Sequence, residues 1–267
     1  MSEKSRKAAK ALNPIDDLMF RKMAENRDFC QEILQVILND YKLQVIDHTA
    51  QCDVTNLQGR SVILDAKCKL GDDRIVNIEV QKPFDDDHQR RVRYNGSVLT
   101  ANIVDPGDKF KNVPDVCMVY IAKLDIFGHD LNVYHVDRTI RETKRVVYNG
   151  YEEVYVNAVC SNTSNDVGQL MQVFTVDGEY NEKFPVTSSL KNRLKNTEEG
   201  VKEMSSVIEK FYGDELKEAK IDERNKISSL LNKLVRENRN DDIKRISEDY
   251  EYRDKLLNEM FPQEANS

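Results

Sequence analysis

The stretch SVILDAKCKLGDDRIVNIEVQ, residues 61–81, decides the fold. Its two flanks are strand-length runs rich in apolar and β-branched residues, and the GDD of Gly71–Asp73 between them is typical of a turn. The sequence therefore predicts a β-hairpin. If the turn has three residues, Leu70 faces Arg74, and this pairing sets the register of the whole hairpin.

The predicted register brings two acids together. It places Asp65 opposite Glu79 and Lys67 opposite Asn77, with the β-carbons of a facing pair about 4.5–5.5 Å apart. Both acids have apolar neighbours in the chain, and a buried carboxylate must be paired, protonated or bound to a metal. Two carboxylates form a set of oxygen ligands that suits a hard cation such as Mg²⁺ or Mn²⁺.

An ordinary exposed hairpin is the alternative interpretation. In that structure Asp65 and Glu79 would pair with Lys67, Lys69 or an arginine, and no metal would bind. A turn of two or four residues would also separate the two acids onto opposite faces of the sheet. Spacing alone does not choose between these structures.

Helices and further strands flank the hairpin. Residues 15–39 and 88–104 have helical patterns, and Asp85–Asp87 supply acids at the start of the second helix. The apolar run VPDVCMVYIA at residues 113–122 predicts a central strand, and LNVYHVDR and YVNAVC predict two more. This mixture of strands and helices indicates an α/β protein.

Two segments at the ends of the chain differ from this pattern. The first 14 residues are basic, and they predict a solvated tail or, alternatively, a contact with a polyanion. From about residue 186 the chain is charged and poor in glycine, with apolar residues at helical spacing. We therefore expect a core over residues 1–185 and a helical region over 186–267. This region could form a homodimer or gate access to the core, or it could be a simple covering layer on the core.

Composition excludes several classes of protein. No apolar run is long enough for a membrane helix, and the N-terminus lacks the apolar region of a secretory signal. The five cysteines form no CxxC pair and predict reduced thiols in a cytoplasmic protein. The net charge of −7 argues against general coating of DNA but permits a local basic groove.

Three short motifs resemble one known family. They are DLMFR at residues 17–21, IEVQ at residues 78–81 and RVRY at residues 91–94. Each is weak alone, but their order and spacing are similar to those of the Rpn recombination-promoting nucleases, also described as PD-(D/E)xK nuclease family transposases. The resemblance covers most of the chain.

The resemblance implies a restriction-endonuclease-like core, in which helices flank a mixed sheet and the acids lie on a central hairpin. By position, Asp65 and Glu79 would be metal ligands, with the backbone carbonyl of Val80 as a third. Gln81 stands where the wider superfamily has a catalytic lysine, and it can orient a water but cannot take a proton from it. Asp17 would be an additional acid of the site, although a helix-cap or solvated role fits it equally well.

The helix after the hairpin is the expected substrate contact. Arg91 and Arg93 would contact phosphates, and Tyr94 would lie at the edge of the site. The alternative is a solvated basic face beside a half-buried tyrosine of the core.

The expected activity is that of a Mg²⁺- or Mn²⁺-dependent DNA endonuclease with low sequence specificity, in recombination or mobile-element activity. Two alternatives stay open: an RNA nuclease, and a catalytically weak or inactive binding or regulatory protein, which Gln81 and the net acidity favour. Aromatic residues are 7% of the chain and tryptophan is absent, so the composition does not indicate a platform for stacking bases.

Overall fold

A computed structural model describes residues 3–55, 61–81, 87–107 and 109–260. The chain divides into two compact units, Met1–Ile208 and Glu209–Ser267. The first unit contains the sheet and all of the residues singled out above. The second is helical.

The first unit is built on a mixed six-stranded sheet in the described part of the chain, with the order β1-β2-β3-β4-β6-β5. The β1–β2, β2–β3 and β5–β6 pairs are antiparallel, whereas β3–β4 and β4–β6 are parallel. The strands are β1 (Val45–Thr55), β2 (Ser61–Leu70), β3 (Ile75–Gln81), β4 (Val116–Ala122), β5 (Val133–Val136) and β6 (Tyr151–Asn157). Helices flank this sheet, so the expected α/β, restriction-endonuclease-like fold is confirmed.

The helices follow the chain in two groups. Those of the first unit are α1 (Glu3–Ala11), α2 (Asp17–Ala24), α3 (Arg27–Ile37), α4 (His88–Asn102), α5 (Asp166–Thr175), α6 (Pro185–Asn196) and the start of α7 (Glu198–Arg236), with a short 3₁₀ helix at Phe110–Asn112. The rest of α7, α8 (Asn240–Glu248) and α9 (Tyr250–Met260) belong to the second unit.

Each face of the sheet has its own apolar core. One face packs against α2, α3 and α5, where Phe20, Phe29 and Phe174 are fully buried and in mutual ring contact. The other face packs against α4. Because side chains alternate along a strand, Glu79 of β3 points to the α4 face, where Asn95 bonds it, while Ile78 and Val80 fill the opposite core.

The N-terminal predictions need correction. Residues 15–39 form two helices rather than one, because the side chain of Asn26 accepts hydrogen bonds from the Asp28 and Phe29 amides and starts α3 afresh. Residues 3–11 of the basic segment form the helix α1, with Ser5 and Ala9 buried and the basic side chains of Lys4, Arg6, Lys7 and Lys10 exposed to solvent. The strand β1 and the helix α5 were not expected from the sequence.

The helix α4 begins as predicted at an acid. Asp87 is its N-cap and accepts a hydrogen bond from the Arg90 amide at 2.9 Å, whereas Pro83, Asp85 and Asp86 lie outside the described residues.

The second unit has a small core of its own. The buried side chains of Leu230, Leu234, Ile246 and Leu256 form it. The boundary expected between residues 185 and 186 stays a prediction; the first compact unit itself extends to Ile208, with Leu194, Val201 and Met204 buried in its core. Among the described residues, no helix is both long enough and apolar enough to cross a membrane.

Candidate active site

The turn of the β2–β3 hairpin has the predicted register. The Leu70 amide donates to the carbonyl of Arg74 at 2.9 Å, and Lys67 faces Asn77. The ladder runs from the turn to the pair of Ala66 and Ile78. Asp65 and Glu79 follow at its open end, and both are buried, with 2% and 3% of their surface exposed.

Asp65 is held by two donors. Arg21 of α2 donates from its Nε to Oδ1 at 3.0 Å, and the Val80 amide donates to Oδ2 at 3.1 Å. The same Arg21 Nε lies 2.7 Å from a carboxylate oxygen of Asp17. Asp17 therefore reaches the site through Arg21, one turn further along α2.

Glu79 is oriented by two amides. Its Oε1 accepts hydrogen bonds from the side-chain nitrogens of Asn77 and Asn95, both at 2.9 Å. Asn77 precedes Glu79 by two residues, and strand periodicity could have identified it. Asn95 comes from α4, and spacing along the chain gave no signal for it.

Burial makes both carboxyl groups difficult to ionise. It raises the pKa of Glu79 to about 7, helped by the charge of Asp65 and opposed by hydrogen bonds from Asn77 and Asn95. It also raises the pKa of Asp65 to about 6, helped by the charge of Asp17 and opposed by Arg21 and the Val80 amide. A nearby cation would relieve both costs.

The interpretation as an exposed hairpin is wrong, because both acids are buried. The pairing of Asp65 with an arginine, which that interpretation included, is confirmed, and the arginine is Arg21. Lys69 pairs instead with Asp73 in the turn, at 2.9 Å.

A cavity of about 530 Å³ opens onto the two acids. Gln81, Arg91, Arg93 and Tyr94 also line it, so the structure brings these predicted residues together around the acids. Arg90, which the sequence did not single out, lines it too. The remaining lining residues are Arg21, Val62, Ile63, Asp87 and Asn95.

The donor set fits a hard divalent cation. Asp65 and Glu79 offer carboxylate oxygens, and in an antiparallel ladder the N–H and C=O of one residue point to the same neighbouring strand. The carbonyl of Val80 therefore lies on the β2 side, as its amide does. Within the described ranges, no three His, Cys, Asp or Glu side chains cluster as a metal site, so this cation would depend on two carboxylates and the carbonyl.

A comparison with protein families agrees with this geometry. The model of the PD-(D/E)XK nuclease family transposases matches residues 14–228, well over half of the chain. This chain belongs to that family. No curated protein and no solved structure matches it.

The family match spans all three motifs, and the expected relationship is confirmed. Family membership supports a nuclease or mobile-element role and implies a nucleic-acid substrate. PD-(D/E)XK nucleases typically use divalent metal ions.

Proposed function

We propose that this family member hydrolyses phosphodiester bonds of DNA with Mg²⁺ or Mn²⁺ held by Asp65 and Glu79. The observation that carries the proposal is the pair of buried acids at a cavity that α4 lines with Arg90, Arg91 and Arg93. Burying two acids side by side lowers the free energy of unfolding, so folding alone does not explain why they are there. A site that binds a divalent cation and a phosphate accounts for it.

The ligands are preorganised by their neighbours. Asn77 and Asn95 fix the Glu79 carboxylate, and the Val80 amide fixes that of Asp65. Second-shell contacts of this kind orient metal ligands and tune their affinity. A bound divalent cation would polarise the scissile phosphate and lower the pKa of a water that it binds.

Gln81 and Arg21 together would replace the catalytic lysine of the wider superfamily. The amide oxygen of Gln81 accepts a hydrogen bond and can orient the attacking water, but it carries no charge. Arg21 lines the same cavity and keeps a fixed positive charge beside Asp65. We assign water orientation to Gln81 and stabilisation of the developing phosphate charge to Arg21.

The arginines of α4 would bind the DNA backbone. Arg91, Arg93 and Tyr94 line the cavity, and we assign phosphate contact to the two arginines and packing at the edge of the site to Tyr94. Phosphate contacts position a duplex but carry no sequence information, which supports low sequence specificity. The family of transposases favours DNA over RNA and a role in recombination or mobile-element activity.

Plasmid nicking tests the proposal. The purified chain, Asp65→Ala and Glu79→Ala are compared in Mg²⁺, Mn²⁺ and EDTA, with Glu182→Ala as a matched control, because Glu182 is an exposed acid beyond the opposite face of the sheet. Wild type and Glu182→Ala are expected to nick DNA in metal and not in EDTA. Each active-site variant should lose at least about a hundredfold in rate.

Two outcomes would contradict the proposal. Cleavage that survives both Asp65→Ala and Glu79→Ala would mean that these acids are not the metal ligands. A wild type that cleaves neither plasmid nor RNA would favour the inactive binding or regulatory protein, whereas cleavage of RNA alone would replace DNA as the substrate.

A further inference from the structure

A second cavity adjoins the candidate active site. Its volume is about 860 Å³, and Arg93 lines both cavities. The C-terminal half of α4, the 3₁₀ helix Phe110–Asn112 and the segment 148–151 before and at the start of β6 form its other walls. Nothing in the proposed hydrolysis uses this cavity.

Two aromatic rings in its lining are exposed. Phe110 has 92% of its surface accessible and Tyr148 has 63%. Burying a phenylalanine side chain would stabilise the protein by about 1.5–3 kcal/mol, so a ring left in water at the mouth of a cavity indicates a ligand surface. Tyr148 is held in place, since its hydroxyl donates to Asp115 at 2.5 Å.

The charges around the rings suit an anion. Arg93, Lys111 and Arg138 line the cavity, and Asp115, the one carboxylate among its described lining residues, is engaged by Tyr148. Arg138 is fixed by a hydrogen bond to the Tyr151 carbonyl at 3.0 Å, and its guanidinium lies 4.7 Å from the centre of the Tyr151 ring. A surface of exposed rings among cationic side chains matches the bases and phosphates of a nucleic-acid strand.

The spacing relates this cavity to the acids. Arg91 lines the first cavity and Ala101 the second, and ten helical residues span about 15 Å. That length corresponds to about four nucleotides of a base-stacked strand, at the duplex rise of about 3.4 Å each. A strand with its scissile phosphate at the acids would reach the rings a few nucleotides away.

We propose that this second cavity binds an unpaired base, so that the substrate carries a single-stranded segment a few nucleotides from the scissile bond. The inference rests on the proposed nuclease function and names its substrate class. Phe110 and Tyr148 would stack on the base, which is possible only if that base is not inside a duplex. Lys111 and Arg138 would contact the neighbouring phosphates.

A tryptophan reporter tests the stacking directly. The chain has no tryptophan, so Phe110→Trp introduces a single indole whose fluorescence is quenched when a base stacks on it. The measurement uses the full chain in the Glu79→Gln background, which prevents cleavage. Single-stranded oligothymidylate should quench this indole, and a duplex of equal length should not. Tyr180→Trp, at a half-exposed tyrosine before α6, is the matched control and should respond to neither.

Affinity measurements supply a second readout. Phe110→Ala and Tyr148→Ala should each weaken binding of the oligothymidylate roughly tenfold and leave duplex binding within about twofold, because stacking contributes about 1–3 kcal/mol per base. Tyr148→Phe keeps the ring and should bind the oligothymidylate more tightly than Tyr148→Ala does. Unchanged thermal unfolding of all three variants would show that they fold.

The inference is overturned if Phe110→Trp does not respond to single strands, or if both alanine variants keep wild-type affinity. A cavity for a polypeptide would give that result.

Because binding is measured without cleavage, the base subsite and the nuclease function can be refuted independently of each other. A chain that nicks plasmid but shows no quenching refutes only the base subsite, and a chain that shows quenching but never cleaves refutes only the nuclease. An oligouridylate that quenches equally well would extend the subsite to RNA strands.

Discussion

Glu79 ionises less readily in the folded protein than in the unfolded chain, because burial and Asp65 raise its pKa to about 7. Below its ordinary pKa the group is protonated in both states, and its contribution to folding is fully present. The contribution is lost as the pH rises through 7, where the folded protein must hold a buried charge. Without metal, the acid that the reaction needs therefore destabilises the fold.

Glu79→Gln should reverse this cost. In EDTA at pH 8 we expect the variant to be more stable than wild type by about 2 kcal/mol, with the difference vanishing near pH 5. The glutamine oxygen can still accept from Asn77 and Asn95. Urea unfolding of both proteins at pH 5 to 8 measures this difference in the free energy of unfolding. Asp65→Asn is the comparison, and it should gain less because it removes one of the two carboxylates that pair with Arg21. A stability difference that does not change with pH would contradict this account.

The sequence did not reveal the residues that contact the two acids from other parts of the chain. The register of the hairpin near its turn was predictable, because a short turn fixes the register of both strands, and that register brings Asp65 and Glu79 to the same end of the ladder. Asn95 and Arg21 meet the same acids from α4 and α2, and only the packing of these helices on the sheet brings them there. No local pattern encodes that packing.

At the scale of elements, the sequence predicted the strands that have strong local patterns and missed the elements whose patterns are weak. The hairpin and β4 have continuous apolar runs, and both were predicted. The edge strand β1 alternates too little to be recognised, with exposed residues such as Asp47 and Asp53 along it. The break between α2 and α3 depends on one capping side chain, that of Asn26, within an otherwise helical pattern.

The helix α4 depends on a glycine for its approach to the sheet. A β-carbon at Gly96 would lie 2.1 Å from the hydroxyl of Tyr151 in β6. We expect Gly96→Ala to destabilise the protein by about 1–3 kcal/mol through overpacking, although alanine is the better helix former by about 1 kcal/mol. It should also lower cleavage, because α4 carries Asn95 and the arginines.

Thermal unfolding tests this prediction, with Ser97→Ala as the control on the exposed side of α4. The control should be neutral or slightly stabilising. Tyr151→Ala removes the clashing ring, so adding Gly96→Ala to it should cost less than adding it to wild type. Equal costs in both backgrounds would mean that the contact with Tyr151 does not govern the position of α4.

At the scale of the whole molecule, the composition changes near residue 186, where α6 begins, whereas the first compact unit extends to Ile208. Helical spacing identifies an apolar face without saying what covers it. The buried residues Leu194, Val201, Met204 and Ile208 belong to the core of the first unit. The later face, with Leu230 and Leu234, forms a separate core.

Two truncations test this division. A chain ending at residue 185 loses four large buried side chains, each worth about 1.5–3 kcal/mol, which together match the total stability of about 5–15 kcal/mol of an ordinary domain. We therefore expect it to aggregate, whereas a chain ending at Ile208 should unfold cooperatively and retain metal-dependent nicking. If the fragment ending at residue 185 unfolds as cooperatively as the longer one, the boundary predicted from composition is the correct one.

Sedimentation tests whether the C-terminal helices form a homodimer. A dimeric full chain beside a monomeric 1–208 fragment would support pairing through these helices, and an equal association state of the two species would contradict it.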